Sequence, residues 1–134
     1  MKNVQLCCII DDDPIFIYGT KRIMKEVNFA ESILVYNNGQ DALDGLMEKC
    51  KAKEPLPDVI FLDLNMPIMN GWEFLDEFKD CRSETSKKII IYIISSSVDP
   101  RDLERVQNYQ QVDTYILKPI TPEDLAKIIG ATTI

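Results

Sequence analysis

The sequence predicts an α/β domain, a doubly wound five-stranded parallel sheet with helices on both faces. Three observations predict it. Short runs of almost wholly apolar residues recur from end to end of the 134-residue chain, as strands buried on both faces do. Stretches with helical spacing of apolar residues separate successive runs, and that βα order belongs to a parallel sheet. The breaks between them carry Pro, Gly, Asn and Asp where caps and turns need them.

Val4–Ile10 is the first strand, continuous in apolar residues. Pro14–Val27 follows as a helix, with Pro14 suited to its first turn and Phe16, Ile23 and Val27 along one face. Ser32–Tyr36 is the second strand. Gln40–Lys51 is the second helix, capped by Asn37 or Asn38, with Ala42, Leu43, Leu46, Met47 and Cys50 on one side. Pro55-Leu56-Pro57 breaks the chain before the third strand, Val59–Leu62, and glycine opens a third helix over Trp72–Cys81. Lys88–Ile94 is the fourth and most apolar strand. Behind Asp99 as N-cap, Pro100 starts a fourth helix that reaches about Tyr109. Thr114–Leu117 is the fifth strand. Thr121-Pro122-Glu123-Asp124 starts a short last helix, ending near Gly130, with a cap and two acids in its first turn. With right-handed crossovers, the flavodoxin-like strand order 2-1-3-4-5 follows, and it sets a binding site at the carboxyl ends of strands 1 and 3.

No repeat, low-complexity tract or linker interrupts the pattern, so residues 1–134 read as one domain with no room for a second. The formal charge of −7 repels a phosphate backbone, which argues against direct nucleic-acid binding. The chain has no histidine, which excludes a His general base and a Cys/His metal centre. Cys7, Cys8, Cys50 and Cys81 lack zinc-ligand spacing and read as reduced thiols. No apolar stretch approaches the roughly 18–20 residues of a membrane span, and no signal peptide precedes the first strand. The expectation is a soluble, cytoplasmic protein with no membrane insertion.

The strand ends carry the chemistry. Strand 1 runs into Asp11-Asp12-Asp13, strand 3 into Asp63, strand 4 into Ser95-Ser96-Ser97 and strand 5 into Lys118-Pro119. Taken singly, the acids are helix caps, the serines a polar loop and the lysine unremarkable. Together they fall at the one edge where a doubly wound sheet holds its ligand. Carboxylates gathered there either raise their pKa values or bind a cation. Mg²⁺ suits them, because it takes one or two carboxylates and completes its shell with water and phosphate oxygens. Lys118 supplies a positive charge and a serine hydroxyl a donor for phosphate oxygens. Such a set describes a phosphoryl-transfer site, where positioning and charge neutralisation do the catalysis.

From about Val4 to Ile129 the chain resembles the receiver domain of two-component response regulators, including the single-domain chemotaxis type. Ile9-Ile10-Asp11-Asp12-Asp13-Pro14 is similar to the family's acidic pair. Residues Pro57 to Pro67 with Met69-Asn70-Gly71 are similar to its phosphoacceptor strand and loop, and Ile116-Leu117-Lys118-Pro119 to its lysine–proline signature. The resemblance implies that Asp63 accepts the phosphoryl group. It implies that Asp12 ligates Mg²⁺ directly, Asp11 directly or through water, with Asp63 and the backbone carbonyl of Asn65 completing the protein's share. Lys118 would pair with the phosphoryl group across a cis peptide to Pro119, and Tyr115 would be the switch aromatic. For the switch hydroxyl two alignments compete. Counting back from Lys118 selects Ser96; aligning the strand end selects Ser95, with one extra residue near Gln110-Gln111. Ser95 is preferred because the apolar run stops at Ile94. The glycine usual before strand 5 is missing, replaced by Gln111-Val112.

The partners implied are a sensor histidine kinase or histidine phosphotransfer protein as donor and a further protein downstream. The chain would turn over no external substrate, taking part only in its own phosphorylation and autodephosphorylation. Two other readings stand beside this one. Asp11-x-Asp13 matches the nucleophile-and-acid spacing of haloacid-dehalogenase-like phosphatases, although their second acidic pair is missing. A degenerate receiver would serve as a docking module without phosphorylation.

Overall fold

The computed structural model describes residues 4–66, 68–83, 88–97, 99–109 and 112–132, with side chains for all of these except 79–83 and 131–132. Pro67, the Gln110-Gln111 pair and the Cys81 side chain therefore lie outside the described residues.

Five strands and five helices alternate: β1 (Val4–Ile10), α1 (Pro14–Glu26), β2 (Ala30–Tyr36), α2 (Gly39–Lys51), β3 (Val59–Asp63), α3 (Gly71–Ser83), β4 (Ile90–Ser95), α4 (Pro100–Val106), β5 (Val112–Leu117) and α5 (Pro122–Thr132). The strands form one parallel sheet in the order β2-β1-β3-β4-β5, as expected. Side chains of a strand point alternately to opposite faces, and β1 shows what that does here. Cys7 and Ile9 enter one core with α1 and α5; Cys8 and Ile10 enter another with α2 and α3. All four are fully buried. Burial in these apolar layers pushes the Cys7 and Cys8 thiols well above their ordinary pKa, so both are inert packing groups.

Local chemistry sets the helix starts. Asp13 caps α1 by accepting from the Ile15 and Phe16 N–H groups, with Pro14 in the first turn. Asn38, not Asn37, caps α2, and Asp99 caps α4. Helices α3 and α5 each open with a reciprocal capping box. Glu73 N–H donates to Asn70 Oδ1 while Asn70 N–H donates to Glu73 Oε1, and Thr121 and Asp124 exchange the same pair.

Some expected boundaries and faces shift. The buried stripe of α1 is Ile17, Thr20 and Met24, whereas Val27 is an exposed C-cap, because the helix turns that face onto the sheet. Strands β2 and β5 each begin two residues earlier than apolarity suggested, since backbone pairing to β1 and β4 continues past the apolar run. Helix α4 stops at Val106, with no buried residue of its own. Beyond it, Tyr109 packs on Trp72 of α3, 5.4 Å between ring centroids, and donates its hydroxyl to Asp76 at 2.9 Å. The Arg105 guanidinium lies 4.4 Å over the same Trp72 ring. No helix among the described residues is long and apolar enough to cross a membrane.

Candidate phosphoryl-transfer site

The carboxyl ends of β1, β3, β4 and β5 converge because parallel pairing leaves them flush. Asp11 N–H donates to the Tyr36 carbonyl at 3.1 Å, and Lys118 N–H to the Ser95 carbonyl at 2.8 Å, so the loops leave the sheet from fixed points. Beyond β3 the chain doubles back at once. Gly71 N–H donates to the Leu64 carbonyl, and a Cβ at Gly71 would sit 2.7 Å from the Asp63 carbonyl oxygen. Only a residue without a side chain fits there. Between these points Ile68 holds a positive φ of 72° while 78% exposed, a conformation that β-branched residues rarely adopt.

Asp11, Asp12 and Asp63 each place a carboxylate oxygen within 4.8 Å of the others. Asp11 is fully buried, Asp63 nearly so, and Asp12 faces solvent. One oxygen of Asp11 accepts from the Asp13 N–H at 2.8 Å. Its other oxygen, Oδ2, lies 2.7 Å from the Lys118 ammonium, but it has no hydrogen bond. The contact with the ammonium is an ion pair. Lys118 Nζ stands farther from Asp63, 3.9 Å from Oδ2, and 4.3 Å above the Phe16 ring. Burial, and next the Asp11 charge, push the Asp63 carboxyl up to about 6, with a smaller push from Asp12, against the pull of Lys118 and the Asn65 N–H.

The sequence-predicted residues therefore meet. Asp11, Asp12, Asp63 and Lys118 form one cluster, and Asn65 contributes its backbone N–H to Asp63. The peptide between Lys118 and Pro119 is cis. Ser95 is buried at the end of β4, whereas Ser96 is exposed. The Ser95 hydroxyl donates to the Ser97 carbonyl at 2.8 Å, and the half-buried Tyr115 donates its own hydroxyl to that carbonyl at 3.1 Å. Sequence reasoning missed Phe16 beneath Lys118 and Ser97 as the shared acceptor. Neither has a motif, since one is an aromatic 102 positions away from its partner and the other a backbone oxygen. The Asn70-x-x-Glu73 capping box is visible in the spacing and was missed as well.

The model of the response regulator receiver domain matches residues 7–130. The chain belongs to that family. Receiver domains of two-component response regulators are phosphorylated signalling switches, and phosphoacceptance is the family's function. The haloacid-dehalogenase alternative falls with this membership, and Asp13 of that motif is occupied in capping α1. Among curated relatives, the nitrate/nitrite response regulator protein NarL of Escherichia coli K12 is 32% identical over 121 residues, 90% of this chain and 51% of NarL. This receiver thus spans about half of NarL's length. Among solved structures, a two-component response regulator from Cytophaga hutchinsonii is 32% identical with a TM-score of 0.89, covering 98% of each chain. The receiver domain of a sensor histidine kinase from Pseudomonas aeruginosa PAO1, solved with magnesium coordinated in its active-site cleft, has a TM-score of 0.75 over 95% of each chain. At 15% identity that likeness speaks for the fold alone.

Proposed function

We propose that Asp63 is the residue this receiver phosphorylates, with Asp11 and Asp12 as metal ligands and Lys118 as the phosphate's counter-charge. The observation that carries the reading is the position of the Asp63 carboxylate. It lies at a strand end between two further carboxylates and an ammonium, within reach of both. Three carboxylates with oxygens within 4.8 Å of one another fit a hard divalent cation and suit Mg²⁺. Asp11, Asp12, Asp63 and the Asn65 carbonyl would hold it, and when bound it neutralises the charge of the incoming phosphoryl oxygens.

The chain's own groups supply the rest. Asp63 attacks phosphorus through one carboxylate oxygen, and the phosphoryl group leaves a donor nitrogen for that oxygen. The donor is a phosphohistidine on a sensor histidine kinase or histidine phosphotransfer protein. Lys118, resting closer to Asp11 than to Asp63, is drawn to the new phosphoryl oxygens. Ser95 is the switch hydroxyl, buried and adjacent, and it exchanges the Ser97 carbonyl for a phosphoryl oxygen. The Ser97 loop, no longer held by that hydroxyl, moves, and Tyr115 loses the Ser97 carbonyl as its acceptor and turns inward. Water later hydrolyses the acyl phosphate on the protein itself, and the signal passes to a downstream protein by contact.

Incubation with Mg²⁺ and acetyl phosphate, followed by intact-mass measurement, tests the reading. Wild-type protein should gain one labile phosphate and Asp63→Asn none. Undiminished labelling of the variant would place the acceptor elsewhere, and no labelling of the wild type would leave a docking module.

A further inference from the structure

Three groups surround the Lys118 ammonium, and one of them carries no charge. Asp11 Oδ2 lies 2.7 Å away, Asp63 Oδ2 3.9 Å away and the centre of the Phe16 ring 4.3 Å away. The lysine side chain is only 16% exposed. Water therefore screens these contacts little, and an aromatic face attracts the cation more than it would at the surface. The ring itself is fixed. Phe16 stands in the first turn of α1, where its N–H donates to Asp13 Oδ1 at 3.4 Å, and its half-buried side chain packs against the core that α1 and α5 share. Lys118 is anchored at its backbone, through its N–H on the Ser95 carbonyl, and a flexible four-carbon stem separates that anchor from the charge.

The distances rank what each neighbour does. The ammonium touches Asp11, but it stands roughly 1 Å beyond a good hydrogen bond to the Asp63 carboxylate. A donor that assists phosphoryl transfer belongs where the transferred oxygens will be, not against the resting carboxylate. The oxygens of a phosphoryl group on Asp63 stand farther out than the carboxylate's own, and the gap is the space they need. Asp11 is a poor sole anchor for such a position. It is one of three carboxylates gathered as a cation site, and a carboxylate engaged by a cation attracts an ammonium less. An aromatic ring is no ligand for a hard cation, so its attraction for Lys118 persists when the carboxylates are engaged.

We infer that Phe16 is a positioning residue for phosphoryl transfer, its ring holding the Lys118 ammonium off the Asp63 carboxylate at the place a phosphoryl oxygen comes to occupy. The inference rests on Asp63 as the acceptor and adds to that site a group that touches neither phosphate nor metal.

The experiment replaces Phe16 with phenylalanines carrying one, two and three ring fluorines. Fluorine drains the negative face of the ring and nearly keeps its shape, so packing stays constant while attraction for a cation falls stepwise. Labelling by acetyl phosphate with Mg²⁺, read by intact mass, should slow along the series. With three fluorines it should be roughly three- to tenfold below wild type, the scale of a partly desolvated cation–π contact. Phe16→Leu should slow labelling as much, and Phe16→Tyr should restore it. In chelator-treated wild type, the ε-methylene protons of Lys118 should be shifted upfield by the ring, and in Phe16→Leu they should return to ordinary lysine positions. Equal labelling across the fluorinated series, or unmoved Lys118 signals in Phe16→Leu, would overturn the proposal while leaving Asp63 as acceptor. A Phe16→Tyr protein that labels as slowly as Phe16→Leu would overturn it too, by reducing the ring to packing. No labelling of the wild type would remove the acceptor and the proposal together.

Discussion

Asp63 carries a cost that its surroundings only partly relieve. Its carboxyl is raised to about 6 from an ordinary 3.8, so the folded protein holds this proton more tightly than the unfolded chain does. Stability from this group is greatest at low pH and falls as pH rises from about 4 to about 6, after which the full penalty remains. In chelator-treated protein, Asp63→Asn should therefore be more stable than wild type near pH 7, by about 1–3 kcal/mol. The gain should shrink toward zero near pH 4, as judged by urea unfolding at the two pH values. A variant less stable than wild type at neutral pH, or a gain independent of pH, would contradict this account. Lys118 limits the cost. Its ammonium lies against Asp11 and over Phe16 and is only 16% exposed, so it offsets the clustered charge where water cannot.

At the scale of elements, the loop between β3 and α3 sets where Asp63 points. Gly71 is the first residue of α3 and has no positive φ, so alanine there gains at most the ~1 kcal/mol of helix propensity that it gains in a helix interior. Its Cβ, however, would press on the Asp63 carbonyl oxygen at 2.7 Å and on Leu64 Cα at 3.0 Å, backbone atoms that cannot rotate away. The steric term wins, and Gly71→Ala should lose about 1–3 kcal/mol while slowing Mg²⁺-dependent labelling of Asp63. A gain in stability with unchanged labelling in that variant would show that the loop yields freely. Much of this was legible in the sequence. Apolar runs located all five strands, and Asp99 and Thr121 announced two helix starts through side chains that cap by their own chemistry. The ends of β2, β5 and α4 were not legible, because backbone pairing and an aromatic packed 37 residues away at Trp72 decide them, and neither leaves a local periodicity. The carboxylates and lysine of the site could be named from strand ends alone. The roles of Phe16 and the Ser97 carbonyl could not, since each exists only once the strands lie side by side.

Across the whole molecule the phosphate's influence is bounded by what it contacts differently in two states. An added charge of about −1.5 to −2 with new acceptor oxygens shifts a population rather than throwing an absolute switch. A beryllium fluoride mimic should therefore change amide shifts strongly at Ser95–Ser97, Asp99–Asp102 and Thr114–Lys118, and little at Glu31–Tyr36 on the opposite edge. Changes confined to the neighbours of Asp63 would place the output surface elsewhere. The contacts around Trp72 give that change a mechanical form. Helix α4 has no fully buried residue, and its far end is held where Val106 packs against the core and Arg105 and Tyr109 are clasped to Trp72 and Asp76 of α3. Seven residues of helix are about 10 Å long. With one end held as a fulcrum and the other attached to the Ser97 loop, a displacement of ~1 Å at the loop swings the helix axis through roughly 6°. The tryptophan clasp thus makes α4 a lever, and a small exchange of hydrogen bonds becomes a tilt of an exposed surface.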